Sequence, residues 1–464
     1  MKTHNSHTQS TVRTPNRRDF LKIGAAGMSV GLLRTIGPGG QSSPTAASAA
    51  TATGPVRVVG FLNPTNKPLK EQVIPQIEKK LGLDIEFTMI PYAAGYLEKL
   101  MMAMASGTAP YDVYMWWDQL FPTTWKNLAP LDDYIKQYNY AEVLAKDFSQ
   151  PWLRFTTNPG DGKRYGLPAI ADLWVYFYRD DMLKKAGVRV PTIGRPWTNE
   201  EWGTALEKLT KPNEKEYGYA LLGKRDPLQV FSLAHVYYSV GAEMFKSNWY
   251  PNYDDPKTVE ALTKIQKLRG FAPPGAENFI HDGVMTAFGT GRAATGSFAT
   301  GWIMGTQPIM DPGLASQVNW LGRDPGTNSA NHVIFTWCWT IDRNSQRKDA
   351  AFRVIMEMLA PENNETVALA GGSHHLFVRK STYKNPKVIA KYPFLTRAEE
   401  LITDKIRPIF FPTQQEMPKG WHEIMDAIAL AHSRVITGES PKKVADETQQ
   451  DLLKLMNKWQ NLRK

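Results

Sequence analysis

Val56-Arg57-Val58-Val59-Gly60-Phe61-Leu62, stopped by Asn63-Pro64, is the stretch on which the fold turns. Its near-continuous run of β-branched and aromatic residues reads as a buried strand. Working outward, Leu69 to Leu81 places Val73, Ile74, Ile77 and Leu81 at helical spacing, and Gly82 is the stop. Asp84 to Ile90 alternates as a second strand, Tyr96 to Ser106 reads as a Met/Leu-rich helix ended by Gly107, and Asp112 to Met115 is a short third strand. The chain therefore opens βαβαβ, the pattern of an open α/β sheet. Such sheets bind ligands beyond the carboxyl ends of their strands. Here those ends are Asn63, Tyr92 and the cluster Trp116-Trp117-Asp118.

Further along, Trp174 to Tyr178 reads as a strand, and Asp181 to Ala186 as a helix closed by Gly187. Thr198, with Glu201 three residues on, predicts a capping box at a helix start. Asp349 to Leu359, Trp421 to Thr437 and Pro441 to Leu462 are long helical patterns. No repeat of solenoid length recurs. At 464 residues the chain is long enough for two or three domains and a large core.

Residues 1–50 hold six basic side chains against Asp19 alone, so half of the net charge of +10 is local. The remainder is spread without a basic block, with lysines and acids alternating as in Lys442 to Glu447. A nucleic-acid binder concentrates its cations on one face, so no nucleic-acid partner is expected. The single cysteine, Cys338, lies between Trp337 and Trp339 and cannot form an internal disulfide or a cysteine zinc site. It reads as a small buried hydrophobe.

Asn16-Arg17-Arg18-Asp19-Phe20-Leu21-Lys22 resembles the twin-arginine export signal, with Asn16 departing from the usual serine or threonine. Arg17, Arg18, Phe20 and Leu21 carry the match. The following run, Ile23 to Ile36, is too short and too glycine-rich to span a bilayer. Ala47-Ser48-Ala49 then offers a small-x-small cleavage site, so residues 1–52 read as signal peptide and linker. No cysteine follows the apolar run to take a lipid. The expectation is a periplasmic protein, exported folded and not lipid-anchored.

Several segments resemble the family 1 extracellular solute-binding proteins of ABC transporters, the sugar-binding group. Ala105-Ser106-Gly107-Thr108-Ala109-Pro110-Tyr111-Asp112-Val113 is similar to the family's A-S-G-x-x-P-D-V, with Tyr111 inserted. Leu128 to Tyr134 matches L-x-P-L-D-D-Y, and Tyr165-Gly166-Leu167-Pro168 followed by Tyr176 to Asp180 is similar to Y-G-L-P then L-Y-Y-N-K-D. Lys184 to Gly187, Pro196 to Thr198, Phe288 to Ala294, Ile341 to Ser345, Gly371 to Arg379 and Pro441 to Leu453 continue the series in order. The resemblance implies a two-lobed α/β periplasmic-binding-protein fold of type II, each lobe a central sheet flanked by helices, with ligand in the cleft between. It places one lobe at residues 54–171 plus 315–375 and the other at 172–314 plus 376–464, with crossings near Asp172, Val318 and Phe377. It implies no catalysis and no cofactor. The implied partners are a carbohydrate or polyol ligand and an inner-membrane ABC permease, with the protein itself a monomer.

A sugar needs a flat apolar surface for its C–H face and polar groups for its hydroxyls, because a hydroxyl buried unpaired costs about 1–3 kcal/mol. The chain carries 14 tryptophans, several beside acids or glycines at strand ends. Trp116, Trp117 and Asp118 follow the third strand, and alternation sends the two indoles to opposite faces, one to core and one toward ligand. Asp172 follows Leu167 to Ala171 as the family's site carboxylate follows its proline segment, the alternative being an Asx turn at a hinge. Trp174 shares its face. Trp302 lies one residue beyond the family's stacking tryptophan. Trp337 and Trp339 stand where the family often has glycines, which would fill part of the pocket and favour a small ligand. Asn63 and Tyr92 are placed to pair hydroxyls. For each, ordinary packing is the alternative.

Two rival functions remain. An exported glycosidase would use paired carboxylates, for which Asp118 and Asp172 are the candidates. A ligand sensor of the same fold would differ only in its docking surface. Gly289 to Ala294 mimics a dinucleotide-binding glycine pattern, but no predicted strand precedes it. His374-His375, in a Gly-Gly-Ser turn, reads as surface or cleft rim rather than metal ligands.

Overall fold

The computed structural model describes residues 54–192, 195–246, 249–302, 318–321, 325–326, 333–370, 376–392, 395 and 418–459. The export-signal residues Arg17, Arg18, Phe20 and Leu21 and the pair His374-His375 lie outside the described residues.

Strand β1 (Val56–Phe61) runs parallel to β2 (Ile85–Ile90) and to β3 (Val113–Trp117), with Val58 opposite both Phe87 and Val113. Between the first two lies helix α1 (Ile74–Leu81), preceded by helical turns at Asn66–Pro68 and Leu69–Val73. It buries Ile74 and Ile77, and Gly82 ends it in the left-handed conformation at φ 63°. Helix α2 (Tyr96–Ala105) buries Tyr96, Leu100 and Met104, one face at spacing four. The Tyr96 hydroxyl donates to the Met115 carbonyl at 2.6 Å and ties α2 to β3. The βαβαβ opening is therefore present, with strand order β2-β1-β3.

The third strand begins and ends later than expected, so Trp116 and Trp117 lie in it rather than after it. Asp112 stays outside because its carboxylate is committed: Oδ2 accepts from Arg57 N–H at 2.9 Å and Oδ1 from Ser345 Oγ at 2.7 Å. The strand is extended by its other neighbour, β8 (Val333–Ile341), which pairs antiparallel with Trp117 opposite Trp337.

The largest departure is β4 (Leu167–Arg179), expected only from Trp174 to Tyr178. It has 13 residues, all buried, because it is covered along its whole length. Leu167 to Trp174 pair with β8, and Trp174 to Tyr178 pair with β6 (Ala293–Ala299). Beside β6 lies β5 (Tyr217–Tyr219). The sheet runs β2-β1-β3-β8-β4-β6-β5, so two half-sheets share one strand. Of the residues near the expected crossings, Asp172 is within β4, Val318 of β7 (Val318–Leu321) pairs Arg179, and Phe377 of β9 (Leu376–Phe377) pairs Ile170. Asp172 is thus mid-strand and not in an Asx turn. Between Pro168 and Ile170 the register with β8 shifts. Pro168 has no N–H to give the ladder, and a bulge accommodates it.

Helices α3 (Asn199–Leu209), α4 (Pro227–Val240) and α6 (His281–Gly289) flank the second half-sheet, and α5 (Pro256–Leu268) packs on α4. The capping box is present, with Glu201 N–H donating to Thr198 Oγ1 at 3.1 Å and Thr198 N–H to Glu201 Oε2 at 3.0 Å. Two later helices, α7 (Lys348–Met358) and α8 (Pro361–Leu369), continue the chain; α7 packs against α1 and β8 in the first half. The last pair, α9 (Trp421–Ile436) and α10 (Pro441–Lys458), packs on α4 and α5. A buried chain of hydrogen bonds joins them, Tyr253 to Tyr237 at 2.7 Å and Tyr237 to His432 at 2.8 Å. Cys338 is buried and free. Among the described residues no helix is long and apolar enough to cross a membrane.

Candidate functional site

At the junction of the two half-sheets a belt of aromatic rings runs from one half to the other. Strand periodicity builds its centre: Phe335 and Trp337 share one face of β8, and Trp117 of β3 stands opposite Trp337. The Trp117 and Trp337 rings are nearly parallel, 5.8 Å apart at 18°. On one side Trp337 meets Phe61 at 4.6 Å, Tyr92 at 6.0 Å and Tyr96 at 6.2 Å. On the other, Trp117 meets Phe335 at 6.1 Å and Phe231 of α4 at 6.2 Å. Phe231 leads to Trp174 at 5.5 Å, Trp174 to Trp302 at 5.1 Å, and Trp302 to His281 at 5.0 Å. The belt is mostly sealed, since Trp117 is 3% exposed, Trp337 6% and Trp302 9%. Its rim is open: Tyr92 is 42% exposed and Leu62 50%.

Polar atoms without partners gather at the carboxyl ends of β1 and β3. Among the described residues, Trp117 Nε1, Asn63 Nδ2, Gln119 Oε1, Thr65 Oγ1 and Asn66 Oδ1 are buried and unpaired. Each such group costs free energy unless something pairs it. Asn63 Oδ1 accepts from Asn66 N–H at 2.6 Å, while its Nδ2 is left without a partner. A cavity of about 530 Å³, lined by Leu62, Asn63, Lys67, Glu71 and Gln72, opens beside it. Asp118 is fully buried; Thr336 N–H donates to its Oδ2 at 3.1 Å and Gln119 Nε2 to its Oδ1 at 3.0 Å. Burial outweighs these bonds and pushes its pKa up to about 8.

Not every expected residue joins this group. Trp116 points away, its Nε1 donating to Thr124 Oγ1 at 2.9 Å in the core. Asp172 accepts from Gly301 N–H at 2.9 Å and lies within reach of Thr300 Oγ1 at 3.5 Å, locking β4 to the end of β6. Trp174 joins the belt by its ring while its Nε1 donates to Ser297 O at 3.1 Å. Trp339 turns into the first half and packs on Phe87 at 6.0 Å. Sequence reasoning missed Phe61, Phe335, Phe231, Gln119 and His281. Phe335 was findable, two residues before Trp337 on one strand, and Gln119 adjoins Asp118. Phe231 and His281 carried no signal. No group of three metal-ligating side chains exists among the described residues.

The sequence profile of the bacterial extracellular solute-binding proteins matches residues 63–365. The chain belongs to this family. The solute-binding protein is 23% identical over 319 residues to a probable amino-acid ABC transporter periplasmic-binding protein of Sinorhizobium fredii, covering 67% of this chain and 70% of that one. It is 27% identical over 213 residues to the mannitol-binding protein of Pseudomonas aeruginosa, covering 41% and 44%. The structure resembles an ABC transporter solute-binding protein of Agrobacterium vitis with bound D-mannitol, at TM-score 0.74 and 23% identity, covering 87% of this chain and 98% of that one. The solute-binding protein thus has the two-lobed type II α/β fold that the sequence led us to expect.

Proposed function

We propose that this solute-binding protein captures a neutral polyol or sugar-like solute on the aromatic belt and delivers it to an ABC permease, without catalysing a reaction. One observation carries the reading: unpaired donors (Trp117 Nε1, Asn63 Nδ2) and acceptors (Gln119 Oε1, Asn66 Oδ1) lie at the strand ends beside stacked indoles. Hydroxyl groups both donate and accept, so a polyol satisfies such a mixed set. A free amino acid, suggested by the name of the Sinorhizobium relative, needs a cation and an anion, and none of these four atoms belongs to a charged group. The glycosidase alternative is disfavoured because Asp118 and Asp172 are both held by main-chain N–H groups.

The lobes of this reading are residues 54–171 with 315–375 and 172–314 with 376–464. They close on the solute, which makes contacts to both only in the closed form and so shifts the population toward it. Export by the twin-arginine route, cleavage before the mature chain, a monomeric state and a periplasmic location without a lipid anchor complete the proposal. The test is a thermal-shift and calorimetric panel of D-mannitol, a pentitol, maltose and free amino acids. A solute at about a hundredfold its Kd stabilises by roughly 2.7 kcal/mol, which a melting curve resolves. A shift with a polyol or sugar is expected; a shift with an amino acid alone would overturn the reading.

A further inference from the structure

We infer that the solute is a polyol chain ending in an ammonium beside a carboxylate, with the charged end held in the cavity next to Asn63. The inference rests on the capture reading above and adds the charged end; the solute stays neutral overall. Asn63 belongs to both places. Its unpaired Nδ2 is among the atoms offered to hydroxyls, and the residue lines the cavity of about 530 Å³. Small-molecule sites typically enclose roughly 300–1,000 Å³, so the space is solute-sized. Leu62, Pro68 and Ala370 give it apolar walls, while Lys67, Glu71 and Gln72 bring one cation, one anion and one amide into it.

Lys67 and Glu71 stand four residues apart on one run of helical turns, where opposite charges ordinarily close on each other. Among the described residues neither side chain has an ion pair or a hydrogen bond. Two local features disfavour their pairing. Lysine precedes glutamate, the weaker order for such a pair. The helix is also widened there: Leu69–Val73 is π-helical, with Ile74 N–H donating to the Leu69 carbonyl. Pro75 follows, and it has no N–H to give the Glu71 carbonyl an α-type bond.

A plain polyol would leave both charges unused. A solute with a single charge would satisfy one and be repelled by the other. An ammonium next to a carboxylate, as in an α-amino acid, meets both. The ammonium donates to Glu71 and Gln72, and the carboxylate accepts from Lys67. The described lining holds no aromatic ring, so an ammonium with N–H groups suits it better than a quaternary one, which is recognised by ring faces.

The experiment measures calorimetric binding of four open-chain solutes that differ chiefly at one end: D-glucitol, uncharged; D-glucamine, a cation; D-gluconate, an anion; and D-glucosaminate, the zwitterion. L-Serine supplies the charged end without the chain. Wild type is expected to prefer the zwitterion to each of the other three by about tenfold or more, the worth of a hydrogen bond to a charged group, and to bind L-serine weakly. Lys67→Gln and Glu71→Gln should each lower the ratio of D-glucosaminate to D-glucitol affinity about tenfold. Both positions are exposed, so both variants should fold. Lys70→Gln, nearby but outside the cavity lining, should leave the ratio unchanged. Equal wild-type affinity for D-glucosaminate and D-glucitol would refute the charged end while leaving polyol capture standing. Unchanged ratios in Lys67→Gln and Glu71→Gln would do the same, as would binding of D-mannitol with none of the four bound. L-Serine bound as tightly as D-glucosaminate would instead remove polyol capture. Binding of no sugar, no polyol and no zwitterion would remove both.

Discussion

Asp118 receives two hydrogen bonds, yet burial raises its pKa to about 8, so at neutral pH it holds its proton for most of the time. The stability consequence follows from linkage. The unfolded carboxyl titrates near its ordinary value of 3.8 and the folded one near 8, so between these values the folded state binds the extra proton. Stability attributable to Asp118 therefore falls as pH rises through this window and is flat above it. Asp118→Asn removes the titration. The variant should match wild type at about pH 4 and exceed it at about pH 9 by a few kcal/mol. Urea unfolding at the two pH values checks this; equal differences at both would mean that Asp118 does not titrate in that window. The opposite facing of Trp116 and Trp117 was legible from strand alternation alone. The proton on Asp118 was not, because a carboxylate after an apolar strand gives no sign of how deeply the fold will cover it.

At the scale of elements, β4 decides the architecture, and its full extent was hidden in the sequence. Its second part, Trp174 to Tyr178, is a visible apolar run, but Leu167 to Ala171 follows Gly166 and opens on Leu-Pro, a segment that reads as a loop. Tertiary pairing overrides that local signal: β8 supplies partners on one edge and β9 on the other. The βαβαβ opening was legible because each of its strands pairs with sequence neighbours, whereas β8 reaches β3 across more than two hundred residues. Asp172 holds this element to the end of β6 through Gly301 N–H. Asp172→Ala leaves that buried N–H without its carboxylate acceptor and should cost about 1–3 kcal/mol of stability. Solute affinity of the folded variant should change little. An affinity loss of about tenfold or more with unfolding unaltered would instead make Asp172 a solute contact.

Across the whole molecule, the closure proposed above would depend on how the two halves meet, and the belt joins residues of both. Trp117 belongs to the first half-sheet and Phe231 to a helix over the second, and their rings stand edge to face at 6.2 Å. Phe231 also stacks on Phe335 at 5.9 Å, next to the shared strand. A ring pair of this kind contributes about 0.5–1.5 kcal/mol beyond its buried area. If these contacts exist only when the halves are together, they favour the closed form before any solute arrives. Phe231→Ala should then open the unliganded protein and raise the apparent Kd, because less of the population is competent to bind. Small-angle scattering without solute should give a larger radius of gyration for the variant than for wild type, and saturating solute should bring the two together. The affinity loss should be about tenfold, since removing the ring also removes its packing. Equal radii of gyration without solute, with the affinity loss still present, would place Phe231 in direct contact with the solute instead of in the equilibrium between open and closed forms.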